Sequence, residues 1–181
     1  MRKRTIGLLI LCMSCSAIPG GLAAQPASAE ASGIEKLAMF LGHWRTTGEM
    51  KETPYSKARK KSDDEMTCQW MPNHGFLICD QILYRPEGTK NELSIYTYNE
   101  KDRSYVFFGV GRDDKEARST ELTDDNNVWT YSDESDEAGK RVQFRTVNTF
   151  ASPTVMTWRS EYSEDGTHWI LMGEGKDTRI P

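Results

Sequence analysis

Past residue 41, the hydrophobic and polar positions fall into ten short runs of β-forming residues separated by turn-forming clusters. The runs cover 43–51, 59–71, 76–84, 92–98, 104–111, 116–123, 127–132, 141–150, 154–162 and 168–176. Between them stand clusters such as Pro86-Glu87-Gly88, Asp124-Asp125-Asn126, residues 133–140, Ala151-Ser152-Pro153 and Asp165-Gly166. Gly and Asn tolerate positive φ and Pro fixes φ, so each cluster turns the chain for a stated reason. Several runs alternate with period two. Leu93 and Ile95 oppose Ser94, Tyr96 and Tyr98, Val142 and Phe144 oppose Gln143 and Arg145, and Met156 and Trp158 oppose Thr157 and Arg159. The connections are short enough to make sequence neighbours sheet neighbours. The pattern therefore predicts an all-β fold, an antiparallel up-and-down barrel of about ten strands, which leaves no open edge. A two-sheet sandwich is the alternative.

Ahead of the strands, Ile34, Leu37, Ala38 and Leu41 recur at helical spacing and Gly42 stops the run, predicting a short N-terminal helix that caps one end. Residues 1–24 read as a signal peptide. Arg2, Lys3 and Arg4 precede an apolar stretch from Ile6 to Ile18, and Pro19-Gly20-Gly21 leads to the small residues Ala23 and Ala24. Cleavage is expected after residue 23 or 24, with Ala29 as the alternative. The apolar stretch is shorter than the roughly 20 residues a membrane span needs. Cys12 and Cys15 lack the flanking residues of a lipoprotein signal. Residues 25–32 form a flexible tether and 33–181 the barrel domain.

Removal of the signal leaves 20 Lys plus Arg against 27 Asp plus Glu, a net charge of −7. Such a surface repels phosphate backbones and anionic headgroups, so neither nucleic acid nor membrane insertion is expected of the mature chain. The one basic cluster, Lys57, Arg59, Lys60 and Lys61, runs into Asp63, Asp64 and Glu65 and reads as a solvated strand edge or loop, with an anion site as the alternative. A periplasmic or secreted location follows from the signal.

Cys68 and Cys79 flank Met71-Pro72-Asn73-His74-Gly75-Phe76. If Met71 faces Phe76 across a four-residue loop, paired positions sum to 147, as do 68 and 79. Directly opposed residues in an antiparallel ladder lie close enough for a disulfide. Turn chemistry and cysteine placement thus predict one hairpin register and one structural bridge.

The start of the first strand, Leu41-Gly42-His43-Trp44-Arg45, resembles the Gly-x-Trp signature of calycin barrels, the group of lipocalins and fatty-acid-binding proteins. Trp70 with Gly75-Phe76-Leu77, then Tyr96-Thr97-Tyr98-Asn99, then Tyr162 to Gly166 followed by Trp169, narrow the likeness. In that order, over roughly residues 34 to 180, they resemble a bacterial family of lipocalin-like domains of unknown function. The resemblance implies a lipocalin-like barrel, a tryptophan across its base and a hydrophobic ligand, with no agreed activity. Heme-binding relatives of similar architecture start Gly-x-Trp-x-Gly-x-Gly. Here Gly48 is present but Thr46 replaces the first of the two later glycines.

His43, His74 and His168 share no metal-ligand spacing, and the mature cysteines are committed to each other, so no metal and no cofactor is implied. Alternation turns Arg145 and Arg159 outward. No catalytic residue stands out. A ten-strand barrel is wide enough to enclose a cavity, and the candidate ligand-binding residues are Tyr96, Tyr98, Phe107, Trp158 and Met172. The function expected is binding or sequestration of a small hydrophobic molecule. The alternatives are an enzyme using His43 or His168 as acid or base, and a structural module of the cell envelope. No oligomeric state follows from these residues.

Overall fold

A computed structural model describes residues 33–111 and 117–181. The expected signal peptide at 1–24, the tether at 25–32 and the turn at 112–114 lie outside the described residues. Ten strands follow one helix: β1 Gly42–Met50, β2 Arg59–Trp70, β3 Leu77–Arg85, β4 Gly88–Asn99, β5 Ser104–Gly111, β6 Ala117–Asp125, β7 Val128–Glu137, β8 Lys140–Ser152, β9 Val155–Ser163 and β10 Ile170–Ile180. Each pairs antiparallel with its sequence neighbour, and β1 closes on β10. The chain is an up-and-down barrel, and the sandwich alternative is excluded.

The predicted runs match the strands closely, with two instructive departures. β7 and β8 extend through residues expected to turn, because Asp133 to Lys140 continue the ladder, with Ser135 opposite Val142 and Glu134 ion-paired to Arg141. Only Ala138 and Gly139, at φ of 53° and 83°, make the turn itself. β10 begins at Ile170, not His168. The Asp165 carboxylate accepts the backbone N–H groups of Thr167 and His168, both at 2.8 Å, and holds this stretch as a loop.

The helix is also tighter than the α-type periodicity suggested. Residues Gly33–Phe40 form a 3-10 helix, in which side chains three apart align. Ile34, Leu37 and Phe40 therefore share the inward stripe, and Leu37 and Phe40 are buried. Phe40 was not part of the predicted apolar face, yet it enters the barrel axis. Its ring lies 5.1–5.2 Å from Tyr96, Trp129 and Phe150, which come from β4, β7 and β8. Below it, the Trp44 indole donates to the Phe40 carbonyl at 2.8 Å, and the Trp129 indole donates to the Met39 sulfur at 2.8 Å. Arg179 stacks over Trp44 at 4.6 Å and donates to the Met39 carbonyl. Gly42, at φ of 103°, turns the chain from helix to strand beside the Arg179 stem. This is the physical content of the Gly-x-Trp element: the first and last strands and the helix are tied together at one end.

The predicted register is realised. Cys68 pairs with Cys79 in the β2–β3 ladder and is bonded to it, and the Met71 N–H donates to the Phe76 carbonyl at 2.9 Å. Both cysteines are buried in the core. Non-reducing mass spectrometry of the folded protein should find no free thiol among residues 33–181. Replacing both cysteines by serine should cost roughly 3 kcal/mol in a urea titration. A variant as stable as the parent would mean the bridge does not constrain the unfolded chain. Phe40→Ala should cost about 3–5 kcal/mol in the same titration, since it empties the closed end of the barrel.

Candidate functional site

Strand alternation divides the interior into two zones. Near the helix the inward positions are aromatic and aliphatic, and the core cluster fills them. Farther along, the inward residues are smaller or polar, among them Thr46, Gly48, Ser94, Gly109, Thr146, Asn148, Gly175 and Asp177. A cavity of about 620 Å³ opens there, with Phe40 as part of its lining. Ligand pockets typically enclose about 300–1,000 Å³.

Of the residues expected to bind a ligand, three line this cavity: Tyr96, Phe107 and Trp158. Tyr96 and Phe107 are a cross-strand pair with rings 5.0 Å apart. Tyr98 and Met172 do not line it. Tyr98 shares the Tyr96 face but lies one step nearer the helix, where its ring meets Tyr105 at 4.8 Å and crowds Gly33. Met172 is the residue left unpaired at the β9–β10 bulge between Leu171 and Gly173, and it is outside the cavity lining.

Trp158 owes its pose to two glycines. Gly48 of β1 pairs with Gly175 of β10, which pairs with Trp158 of β9. A Cβ on Gly175 would fall 2.6 Å from the indole Cε2 and 2.7 Å from the Gly48 Cα, distances no real side chain keeps. The indole therefore lies on bare backbone, and the interior stays open over it. The Gly173-Glu174-Gly175 spacing was the sequence signal for this, because glycines two apart in a strand mark a close approach on one face.

The polar groups were not anticipated. The Tyr96 and Tyr131 hydroxyls lie 3.1 Å apart, Asn148 hydrogen-bonds Tyr131, and burial raises both phenols, that of Tyr96 to about 12. Asp177, 5 % exposed, sits opposite Thr46 at the β1–β10 seam. Burial pushes its carboxyl up to about 6. A hydrogen bond from Thr46 opposes the shift, and the nearby Asp64 charge adds to it. Asp64 itself is neutralised by Arg85 at 2.6 Å. Three buried polar atoms bordering the cavity have no hydrogen-bond partner: Asp177 Oδ1, Asn148 Oδ1 and Trp158 Nε1. Orphaned buried groups are uncommon in folded proteins and call for an explanation.

Other expected candidates lie elsewhere. His43 is 3.4 Å from Glu65, His74 stacks on Trp70 in the hairpin tip, and His168 is held by Asp165 at 2.6 Å. None of the three lines the cavity. Arg145 and Arg159 both clamp Glu161, at 2.7 and 3.0 Å, and Arg145 stacks on Trp169. They make an ion cluster on the outer side of β8 and β9, as alternation predicted, although part of Arg145 borders the cavity wall. At the mouth, Tyr55 of the β1–β2 loop packs edge-on to Phe144 and Tyr162 and donates to Glu164 at 2.6 Å.

No protein-family model and no curated protein sequence matches this chain. Solved structures share its fold, among them the following two. Rv2717c from M. tuberculosis superposes with a TM-score of 0.57 at 12 % identity, over 83 % of this chain and 99 % of that one. The S-type phycobiliprotein lyase CPES from Guillardia theta superposes with a TM-score of 0.54 at 7 % identity, over 82 % of this chain and 93 % of that one. At such identities the likeness speaks to fold alone, and it fits a calycin-like barrel.

The Asp177 carboxyl makes stability depend on pH in a defined sense. Its folded pKa lies above the ordinary 3.8, so it costs nothing below about pH 4. The cost grows as pH rises to about 6 and is constant above. Asp177→Asn should therefore raise stability at pH 7.5 by on the order of 2 kcal/mol, with the gain gone at pH 4. Urea titrations at the two pH values check this. A variant less stable than the parent at pH 7.5 would mean the carboxylate is satisfied in the fold.

Proposed function

We propose that the protein is an exported barrel that binds a small molecule with a flat apolar body inside the cavity. The observation that carries this reading is the 620 Å³ space lined on its apolar side by Tyr96, Phe107, Phe144 and Trp158. A sequence meant only to pack a barrel would fill that volume, since voids of methyl size already cost stability. Here the glycines Gly48, Gly109 and Gly175 keep it open. The fold neighbour named as a phycobiliprotein lyase supports a small molecule as the occupant of such a barrel, without assigning which one.

The disulfide supports export, because such bridges persist in oxidising compartments. Catalysis by histidine loses its motivation, because His43 and His168 stand away from the cavity.

Gly109 offers a direct test. A Cβ there would meet only the Phe107 ring, at 3.5 Å, so a larger side chain has room to enter the cavity. Gly109→Phe should leave the thermal transition intact and weaken the binding of 2-naphthalenemethanol at least tenfold, read by calorimetry. Equal binding by parent and variant would place the ligand site elsewhere.

A further inference from the structure

The proposed binding function leaves open what the polar half of the cavity recognises, and its unpartnered atoms narrow the choice. Two of the three are acceptors, Asp177 Oδ1 and Asn148 Oδ1, and the third is the indole N–H of Trp158. Trp158 lies directly opposite Asn148 in the β8–β9 ladder, and Asp177 is paired with Met156, two residues from Trp158. The three side chains therefore sit on adjacent strands on one inner wall. Of the Asn148 amide, the carbonyl oxygen is the end left buried without a partner.

Charge points the same way. Asp177 has no ion-pair partner among the described residues. The titratable groups facing it are Asp64 from β2, Tyr96 from β4 and Tyr131 from β7, with Arg179 two places along its own strand. Asp64 is paired with Arg85, the phenols stay neutral because burial raises them, and Arg179 reaches toward the closed end, over Trp44 and to the Met39 carbonyl, with its Nε left unpartnered. From β1, β8 and β9 come the uncharged Thr46, Asn148, Met156 and Trp158, together with Arg145 of β8, which borders the cavity but is held by Glu161. A buried carboxylate without a cation is costly, and the cations on these elements are paired with other groups.

We propose that Asp177 and Asn148 form an anchor for a nitrogen cation, and that the ligand is an amine or amidine carried on an aromatic or flat apolar body. This rests on the binding function proposed above and assigns its ligand class. An ammonium or amidine brings several N–H donors, which the Asp177 carboxylate can accept, and the Asn148 carbonyl is a further acceptor on the same wall. The Trp158 ring, laid on the glycine pair, offers a face to the same charge. A neutral apolar ligand would leave both acceptors without a donor, and a carboxylate ligand would face Asp177 with like charge.

Three probes of one shape decide the matter: 2-naphthylmethylamine, 2-naphthalenemethanol and 2-naphthoate, titrated calorimetrically into the full folded protein. At pH 7.5 the amine should bind at least tenfold more tightly than the alcohol, and the naphthoate most weakly. The preference should shrink as pH falls from 7.5 to 5, because protonation of Asp177 removes the charge that holds the cation. In Asp177→Asn, the amine and the alcohol should bind within threefold of each other. Equal affinities in the parent, a preference for naphthoate, or a preference for the amine that survives Asp177→Asn would each overturn the anchor. In these cases, binding of the alcohol that is lost in Gly109→Phe would leave the cavity reading standing. Failure of all three probes to bind would remove both.

Discussion

The indole of Trp44 holds three parts of the chain at once, and the rest of the barrel is organised by that contact. Its N–H is spent on the carbonyl of Phe40, its face on the guanidinium of Arg179, and its edge on Phe150. The first fixes the 3-10 helix to the first strand, the second fixes the last strand to both, and the third ties in β8. A barrel closes only if its first and last strands meet in one register. Trp44 and Arg179 are directly paired across that closing seam. Because the side-chain period of a strand is two, a slip of β1 by one residue would turn Trp44 out, and a slip of β10 would turn Arg179 and Asp177 out.

That seam also connects stability to the cavity. Along β1 the inner face steps from Trp44 to Thr46 to Gly48, and along β10 from Arg179 to Asp177 to Gly175. Bulk therefore falls away with distance from the closed end. The aromatic end supplies the burial that drives folding, while the tapered end gives up burial and accepts an ionisable group in a dry wall. Both properties come from one pair of strands in one register, so the open volume and the unpartnered carboxylate are fixed by the contacts that close the barrel.

Much of this was legible before any coordinates. Turn chemistry and period-two alternation located all ten strands, and the two cysteines, read with Pro72-Asn73-His74-Gly75, set a hairpin register that the ladder keeps. What escaped had physical causes. The charged stretch after Asp133 looked like a turn because ion pairs across an exposed hairpin are invisible to hydropathy. His168 looked like a strand residue until Asp165 claimed its backbone N–H. Phe40 fell outside an α-helical stripe because the helix winds with three residues per turn. Within the site, Tyr96, Phe107 and Trp158 followed from alternation, whereas Tyr98 belongs to the closed end and Met172 stands unpaired at a bulge. Asp177 was missed for a different reason. It lies just past residue 176, where the last predicted run ended, and only the pairing of Thr46 with Asp177 puts the carboxylate inside.

The position of Asp177 is itself an argument about what the interior is for. An asparagine would fill the same space with no charge to desolvate, and a threonine would match Thr46 across the seam. A fold selected for packing alone has no use for a carboxylate 5 % exposed, with one oxygen unpartnered and a second orphaned acceptor, Asn148, on the same inner wall. Retaining charge in a dry wall makes sense where the missing donor arrives from outside, because the desolvation already spent in folding need not be spent again on binding. The same wall carries the glycine pair that clears room over Trp158. Two departures from good packing, a removed side chain and an added charge, thus occur on neighbouring strands facing one space, and a ligand that is flat at one end and cationic at the other answers both.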